Sequence, residues 1–172
     1  EAESIKLFAN TYLALRVAFF NELDNFALKN NLDTQTIIDG ISLDPRIGEG
    51  YNNPSFGFGG YCLPKDLMQL VSSFEDTPSE LLSAIPKSNS KRKSFISKKI
   101  LSLKTESIGI YRLIMKKGSD NFRESAIIDV IRELVNVNKK VFIYEPLIEE
   151  SSFLGCRIIK DFDEFSDLSE LI

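Results

Sequence analysis

The 172-residue chain is 43% hydrophobic and 27% charged, with 21 basic and 25 acidic residues, two cysteines and no histidine. Such proportions fit a soluble globular chain of one medium or two small domains, and the missing imidazole excludes Ser-His-Asp or Cys-His catalysis within the chain and zinc sites built on histidine. No apolar run approaches the ~20 residues that cross a bilayer, and Cys62 and Cys156 are too few for a disulfide scaffold, so a non-membrane protein of the reducing cytoplasm is the simplest setting.

The chain opens Glu1-Ala2-Glu3, without a secretory leader, and reads as a piece of a longer protein that starts inside a helix. Residues Ser4 to about Asn30 predict one long helix, rich in Ala and Leu and free of Pro and Gly. Its apolar residues form no single stripe: Phe8, Tyr12, Leu15 and Phe19 lie along one side, and Leu7, Ala14, Val17 and Phe20 face elsewhere. A helix apolar nearly all round is buried nearly all round, either in a homodimer core or at the centre of one large domain. Lys6 and Asn10, four residues apart, share a face of this helix. They are either a surface pair or a cation and an amide aimed together at a developing oxyanion.

Asn30-Asn31 suits a left-handed helix stop, and Asp33 suits the cap of a second short helix through Ile38. Pro45, Gly48, Gly50 and Pro54 make residues 40–61 loop-like. That loop ends in Phe56-Gly57-Phe58-Gly59-Gly60-Tyr61-Cys62-Leu63-Pro64-Lys65-Asp66. Glycines let a backbone pass close to a ligand, and a thiol beside a cation can be held as the reactive thiolate. Lys65 and Asp66 are candidates for tuning that thiol or handling water. The other reading is a glycine-rich turn around a buried, inert cysteine. Helix is expected again from Lys65 to Phe74, and from Thr77-Pro78-Ser79 to about Ile85.

Pro86 to Ser90 reads as a domain boundary, because charge changes sign there: residues 1–86 hold 5 basic and 12 acidic side chains, residues 87–172 hold 16 and 13. Lys87 to Lys104 carries seven basic residues and no acidic one. Without interleaved aromatics in an acidic chain, this reads as a solvated helix face, with no nucleic-acid partner. Beyond it the pattern is α/β: a strand over Ser107 to Ile114, an amphipathic helix over Glu124 to Asn136, a strand over Lys140 to Pro146 and a short third at Arg157-Ile158-Ile159. Strand–helix–strand predicts a parallel sheet with a right-handed crossover, whose ligands bind at the C-terminal strand ends. The cationic loop Lys116 to Ser125 falls at such an end and suits an anion such as phosphate.

In order along the chain, Lys6-Leu7-Phe8-Ala9-Asn10, Asn21-Glu22-Leu23-Asp24, Asp44-Pro45-Arg46, Tyr51-Asn52-Asn53-Pro54-Ser55-Phe56-Gly57, Gly59-Gly60-Tyr61-Cys62-Leu63-Pro64-Lys65-Asp66 and the loop around Lys116 and Arg123 resemble the UDP-glucose/GDP-mannose dehydrogenase family. The resemblance implies an α plus α/β fold: a helical central dimerisation domain over residues 1–86, with a long core helix and the catalytic cysteine loop, then a partial Rossmann-like parallel α/β domain over 87–172 that binds a UDP-sugar. It implies a four-electron, NAD-dependent oxidation of UDP-glucose to UDP-glucuronate, in which Cys62 forms a thiohemiacetal and then a thioester. Lys6 would stabilise the anionic oxygen, Asn10 would assist it, and Asp66 would serve with water as base. Lys6, Asn10, Arg46 (from the neighbouring subunit of a homodimer), Tyr51, Gly59 and Lys116 would bind the substrate, and Arg123 would approach NAD.

The sequence departs from the family in one large respect. No Gly-x-Gly-x-x-Gly follows a strand, so the N-terminal NAD-binding domain is missing, and the second α/β domain looks truncated. The chain alone is therefore expected to be inactive. Two alternatives stay open: a dehydrogenase of GDP-mannose or a UDP-N-acetylhexosamine, and a dimerisation and nucleotide-binding module without catalysis.

Overall fold

The computed structural model describes residues 1–113 and 124–172. The chain divides into two compact units, Glu1–Arg92 and Lys93–Ile172. The first contains α1 (Ala2–Asn30), α2 (Thr34–Ser42), α3 (Cys62–Ser72) and the beginning of α4 (Glu80–Ser102). The second contains the rest of α4, then β1 (Ser107–Tyr111), α5 (Ile127–Asn136), β2 (Lys140–Tyr144), β3 (Ser152–Phe153), β4 (Cys156–Ile159) and α6 (Phe162–Leu168). The α plus α/β architecture expected from the sequence is the one observed.

In the first unit, α1 runs 29 residues and stops where Asn31 turns left-handed at φ 54°, a conformation Asn tolerates. Asp33 then caps α2, its carboxylate accepting from Gln35 N at 3.1 Å and from Thr36 Oγ1 at 2.6 Å. One side of α1 packs inward through Leu7, Ala14, Ala18, Phe20 and Ala27. The two small residues Ala14 and Ala18 share a core with Phe58, Leu67 of α3 and Ile85 of α4. Burying a side chain such as Leu67 or Ile85 contributes about 2 kcal/mol. The opposite side of α1 leaves Ile5, Tyr12, Phe19 and Phe26 exposed, seven residues apart in one stripe. Burial of α1 within a single chain is thus one-sided, because the unit has only α3 and its neighbours to lay against a helix apolar all round.

α3 begins at Cys62, ahead of the Lys65 start expected from the sequence. Pro64 falls in its first turn, where no backbone N–H is needed. α4 runs without a break through Pro86 to Ser102, so the segment read as a boundary is helical. The reason is the face it presents: Ile85, Asn89 and Arg92, at i, i+4 and i+7, are all buried. Their packing and hydrogen bonds outweigh the single backbone bond that Pro86 cannot donate. Arg92 also corrects the reading of this stretch as a wholly solvated face.

In the second unit the strand order is β1-β2-β4-β3, with β1, β2 and β4 parallel and β3 antiparallel to β4. The short β3 hairpin partner was not expected. Ile108, Ile110, Val141, Ile143 and Ile158 line one face and pack with Ile127, Ile128, Ile131 and Leu134 of α5. The alternate residues face α6, whose buried Phe165 comes so close to Gly109 that a Cβ there would lie 2.6 Å from the Phe165 ring. Beyond β1, Gly109 N donates to Leu171 O at 2.7 Å, which ties the C-terminal residues to the sheet edge.

Candidate active site

Two helices bring the predicted residues of the first unit together. Lys6 and Asn10 lie one turn apart on α1, and Cys62 and Asp66 lie one turn apart on α3. The contact between the pairs is made by Asp66. Its Oδ2 accepts from Asn10 Nδ2 at 2.6 Å and meets Lys6 Nζ at 3.2 Å. The Asp66 side chain is 2% exposed, whereas that of Lys6 is 62% exposed. Cys62 is exposed too. The carboxylate is therefore buried, while the cation bonded to it and the thiol one helical turn away are open. Since both contacts end on Oδ2, Oδ1 is the oxygen left for a water or a substrate.

The Asp66 carboxyl is held below the ordinary carboxylate range, first by the Asn10 hydrogen bond, then by the hydrogen bond and charge of Lys6 and the charge of Lys65, against the cost of burial. Such a group is ionised at neutral pH and can accept a proton. The Lys65 Nζ lies 5.1 Å from the centre of the Tyr61 ring. Cys62 is the first residue of α3, in the turn whose backbone N–H groups have no intrahelical acceptor.

The other expected substrate residues lie on the loop between α2 and α3. Tyr51 is exposed with a left-handed backbone at φ 58°. Gly59 is half-buried, and Gly60 turns at φ 77°. Arg46 is exposed and paired with Asp44 at 2.5 Å, and it is not brought to Asp66 within its own chain. Lys116 and Arg123 lie outside the described residues.

Reading the sequence missed the side chains that hold this loop. Asn52, buried, donates to Ser42 Oγ and Gly48 O at 2.7 Å each and accepts from Arg16 at 2.5 Å. Asn21 accepts from Ser55 N at 2.7 Å. Asn89 accepts from Phe58 N at 2.8 Å and donates to Phe58 O at 2.9 Å. Arg92 donates to Ser55 O at 2.8 Å, to Asn25 Oδ1 at 2.5 Å and to Asp24 Oδ2 at 2.6 Å. An irregular loop has no strand partner, so its buried backbone groups need such side chains. The available signal was polar residues at core-facing helix positions: Asn21 and Asp24 on α1, Asn89 and Arg92 on α4.

In the second unit the parallel strands end together at Tyr111, Tyr144 and Ile159. Glu145, directly after β2 and fully buried, accepts from Leu113 N at 3.0 Å and Leu147 N at 3.3 Å and pairs with Arg112 Nε at 3.2 Å. This is the strand edge at which an anion was expected. Among the described residues no group of three or more His, Cys, Asp and Glu can hold a metal ion. No helix among them is long and apolar enough to cross a membrane.

Comparison with known proteins covers both units. Residues 1–91 match the central domain of the UDP-glucose/GDP-mannose dehydrogenase family, and residues 109–172 match its UDP binding domain. The chain is 55% identical to a UDP-glucose 6-dehydrogenase of Campylobacter jejuni and 53% identical to one of Streptococcus pneumoniae, in each case over its whole length and 44% of the relative's. Among solved structures, a UDP-glucose dehydrogenase of Pyrobaculum islandicum matches with a TM-score of 0.80 at 26% identity, over 99% of this chain and 42% of that one. A GDP-mannose dehydrogenase of Pseudomonas aeruginosa matches with a TM-score of 0.64 at 27% identity, over 98% and 43%. The chain thus spans less than half the length of these relatives.

Proposed function

The chain belongs to the UDP-glucose/GDP-mannose dehydrogenase family, and from that premise we propose that it carries the thiol half of an active site that oxidises UDP-glucose to UDP-glucuronate. The observation that carries the proposal is the meeting of Lys6, Asn10 and Asp66 one helical turn from an exposed Cys62. NAD, the expected acceptor of the two hydrides, would be held outside the described residues; Arg123 is the one position of this chain proposed to approach it.

The chain's own residues supply the remaining chemistry. The Cys62 sulfur attacks the C6 aldehyde and forms a thiohemiacetal, whose oxyanion the exposed ammonium of Lys6 stabilises. Loss of the second hydride leaves a thioester, and water releases the carboxylate and regenerates the thiol. Asp66, ionised and open at Oδ1, accepts the proton of that water. Asn10 fixes the Asp66 carboxylate and so the line of attack. Covalent capture keeps the aldehyde bound between the two oxidations.

Tyr51, Gly59 and Lys116 are proposed to bind the UDP-sugar, and Arg46 to reach the substrate of a neighbouring subunit. Its exposure suits that role. The apolar stripe Ile5, Tyr12, Phe19 and Phe26 suits a homodimer formed through α1. Because the chain covers 44% of its relatives' length, the chain alone is expected not to turn over. The test is the full-length protein with UDP-glucose: two NADH per sugar, and no turnover in Cys62→Ser, are expected. Activity with another nucleotide sugar only would change the substrate and keep the mechanism. Full activity in Cys62→Ser would overturn the proposal.

A further inference from the structure

We propose that Asn89 is a positioning residue for the Cys62 thiol, acting through the backbone of Phe58. Asn89 lies on α4, is 7% exposed, and uses its one amide to satisfy both backbone groups of Phe58. A strand neighbour would make the same pair of bonds, and this loop has none. The Phe58 ring is itself buried among Ala14, Ala18, Leu67 and Ile85. Phe58 is therefore fixed by side chain and backbone together.

Only Gly59, Gly60 and Tyr61 separate that anchor from Cys62. Two glycines give the connection no stiffness of its own, so its path is set by its ends. One end is α3, held by Leu67, Leu70 and the bond from Asn10 to Asp66. Cys62 occupies the first turn of α3, the part of a helix whose N–H groups lack intrahelical partners and whose end frays. The Phe58 clamp is what defines where that turn begins. Arg92, one turn further along α4, holds Ser55 in the same way but also ties Asp24 and Asn25 of α1, so Asn89 isolates the effect on the cysteine loop.

The catalytic consequence rests on Cys62 being the nucleophile, but the setting of the thiol is measurable without turnover. In the full-length protein, Asn89→Ala is compared with Ile85→Val, which thins the same core and leaves both Phe58 backbone bonds intact, and with Asn89→Asp, which keeps the acceptor for Phe58 N and loses the donor to Phe58 O. The readouts are kcat and KM with UDP-glucose, and the pH profile of Cys62 alkylation by iodoacetamide, with Cys156 buried.

In Asn89→Ala, kcat is expected to fall roughly 10- to 100-fold, the loss typical of a misplacement of about an ångström, with KM little changed and a displaced alkylation profile. Asn89→Asp is expected to lie between, and Ile85→Val to match the unmodified protein in both readouts. Should Asn89→Ala fail to fold, Asn89→Asp carries the comparison. Equal behaviour of Ile85→Val and the Asn89 variants, or an unchanged alkylation profile in the Asn89 variants, would overturn the proposal. If UDP-glucose is not turned over at all, the alkylation profiles still decide it, so its failure is distinct from failure of the proposed function.

Discussion

Each unit of the molecule buries one carboxylate at the point where chemistry was expected, and the two are bonded in different ways. Asp66 receives side-chain donors only, both on one oxygen, from a half-buried amide and an exposed ammonium. Glu145 receives backbone donors on both oxygens, Leu113 N on one and Leu147 N on the other, with Arg112 beside them. A carboxylate saturated by backbone N–H groups fixes chain geometry, and moving it would leave those groups unpaired. A carboxylate with one oxygen uncommitted can take up a proton or a water without breaking the fold. The difference suits the role proposed for Asp66 in the reaction and fits Glu145 to the architecture of the sheet edge.

The comparison can be broken by exchanging which variant loses what. Asp66→Asn is expected to lower turnover of the full-length protein by about 10²- to 10⁴-fold, the range for a lost general base, while its urea midpoint moves less than that of Glu145→Ala. Glu145→Ala should cost about 2 kcal/mol in urea unfolding, chiefly for the buried Leu113 N–H left without an acceptor. If the stability loss fell on Asp66→Asn and the activity loss on Glu145→Ala alone, the assignment would be reversed. Arg112→Gly sharpens the second half. It takes the cation from a carboxylate that is fully buried and relieves a left-handed backbone at φ 71°, a strain of about 1–2 kcal/mol. The net change expected in the same unfolding assay is a loss smaller than that of Glu145→Ala.

The smallest effect is in acid. The Asp66 carboxyl is held below its ordinary value of 3.8, chiefly by Asn10 and then by Lys6. A depressed folded value means that its stabilisation is complete above pH 3.8 and is lost as the pH falls through the lower folded value. Urea midpoints of the chain and of Asp66→Asn should therefore converge below pH 3.8. Parallel curves through that window would show that Asp66 is not held ionised by its neighbours.

Much of the helical unit was legible in the sequence, because helix propensity, Asn31 and Asp33 caps and i,i+4 spacing are local. The order of motifs along the chain carried the family. Lys6 with Asn10 follows from spacing alone, whereas Cys62 one turn from Asp66 does not, since helix was expected only from Lys65 and α3 begins at Cys62. Their meeting depends on how closely α3 approaches Ala14 and Ala18, which is tertiary. The signal at Asn89 and Arg92 was faint for the same reason. They sit in a run of lysines, and only the packing of α4 turns their face inward. Pro86 misled in the opposite direction, since a local helix-breaking signal was outweighed by burial of Ile85, Asn89 and Arg92. In the second unit the apolar runs of β1 and β2 were clear, whereas β3 is two residues long and has no pattern to read.

Covalent capture at Cys62 is the central claim, and the most direct measurement is a quench experiment. Full-length Asp66→Asn protein would be mixed with UDP-glucose and NAD, quenched in acid, and mapped by peptide mass. The expected result is a UDP-sugar acyl adduct on the peptide that contains Cys62, accumulated because the water step has lost its base, and absent when Cys62→Ala is added. No adduct on that peptide, with turnover persisting in Cys62→Ala, would contradict the account.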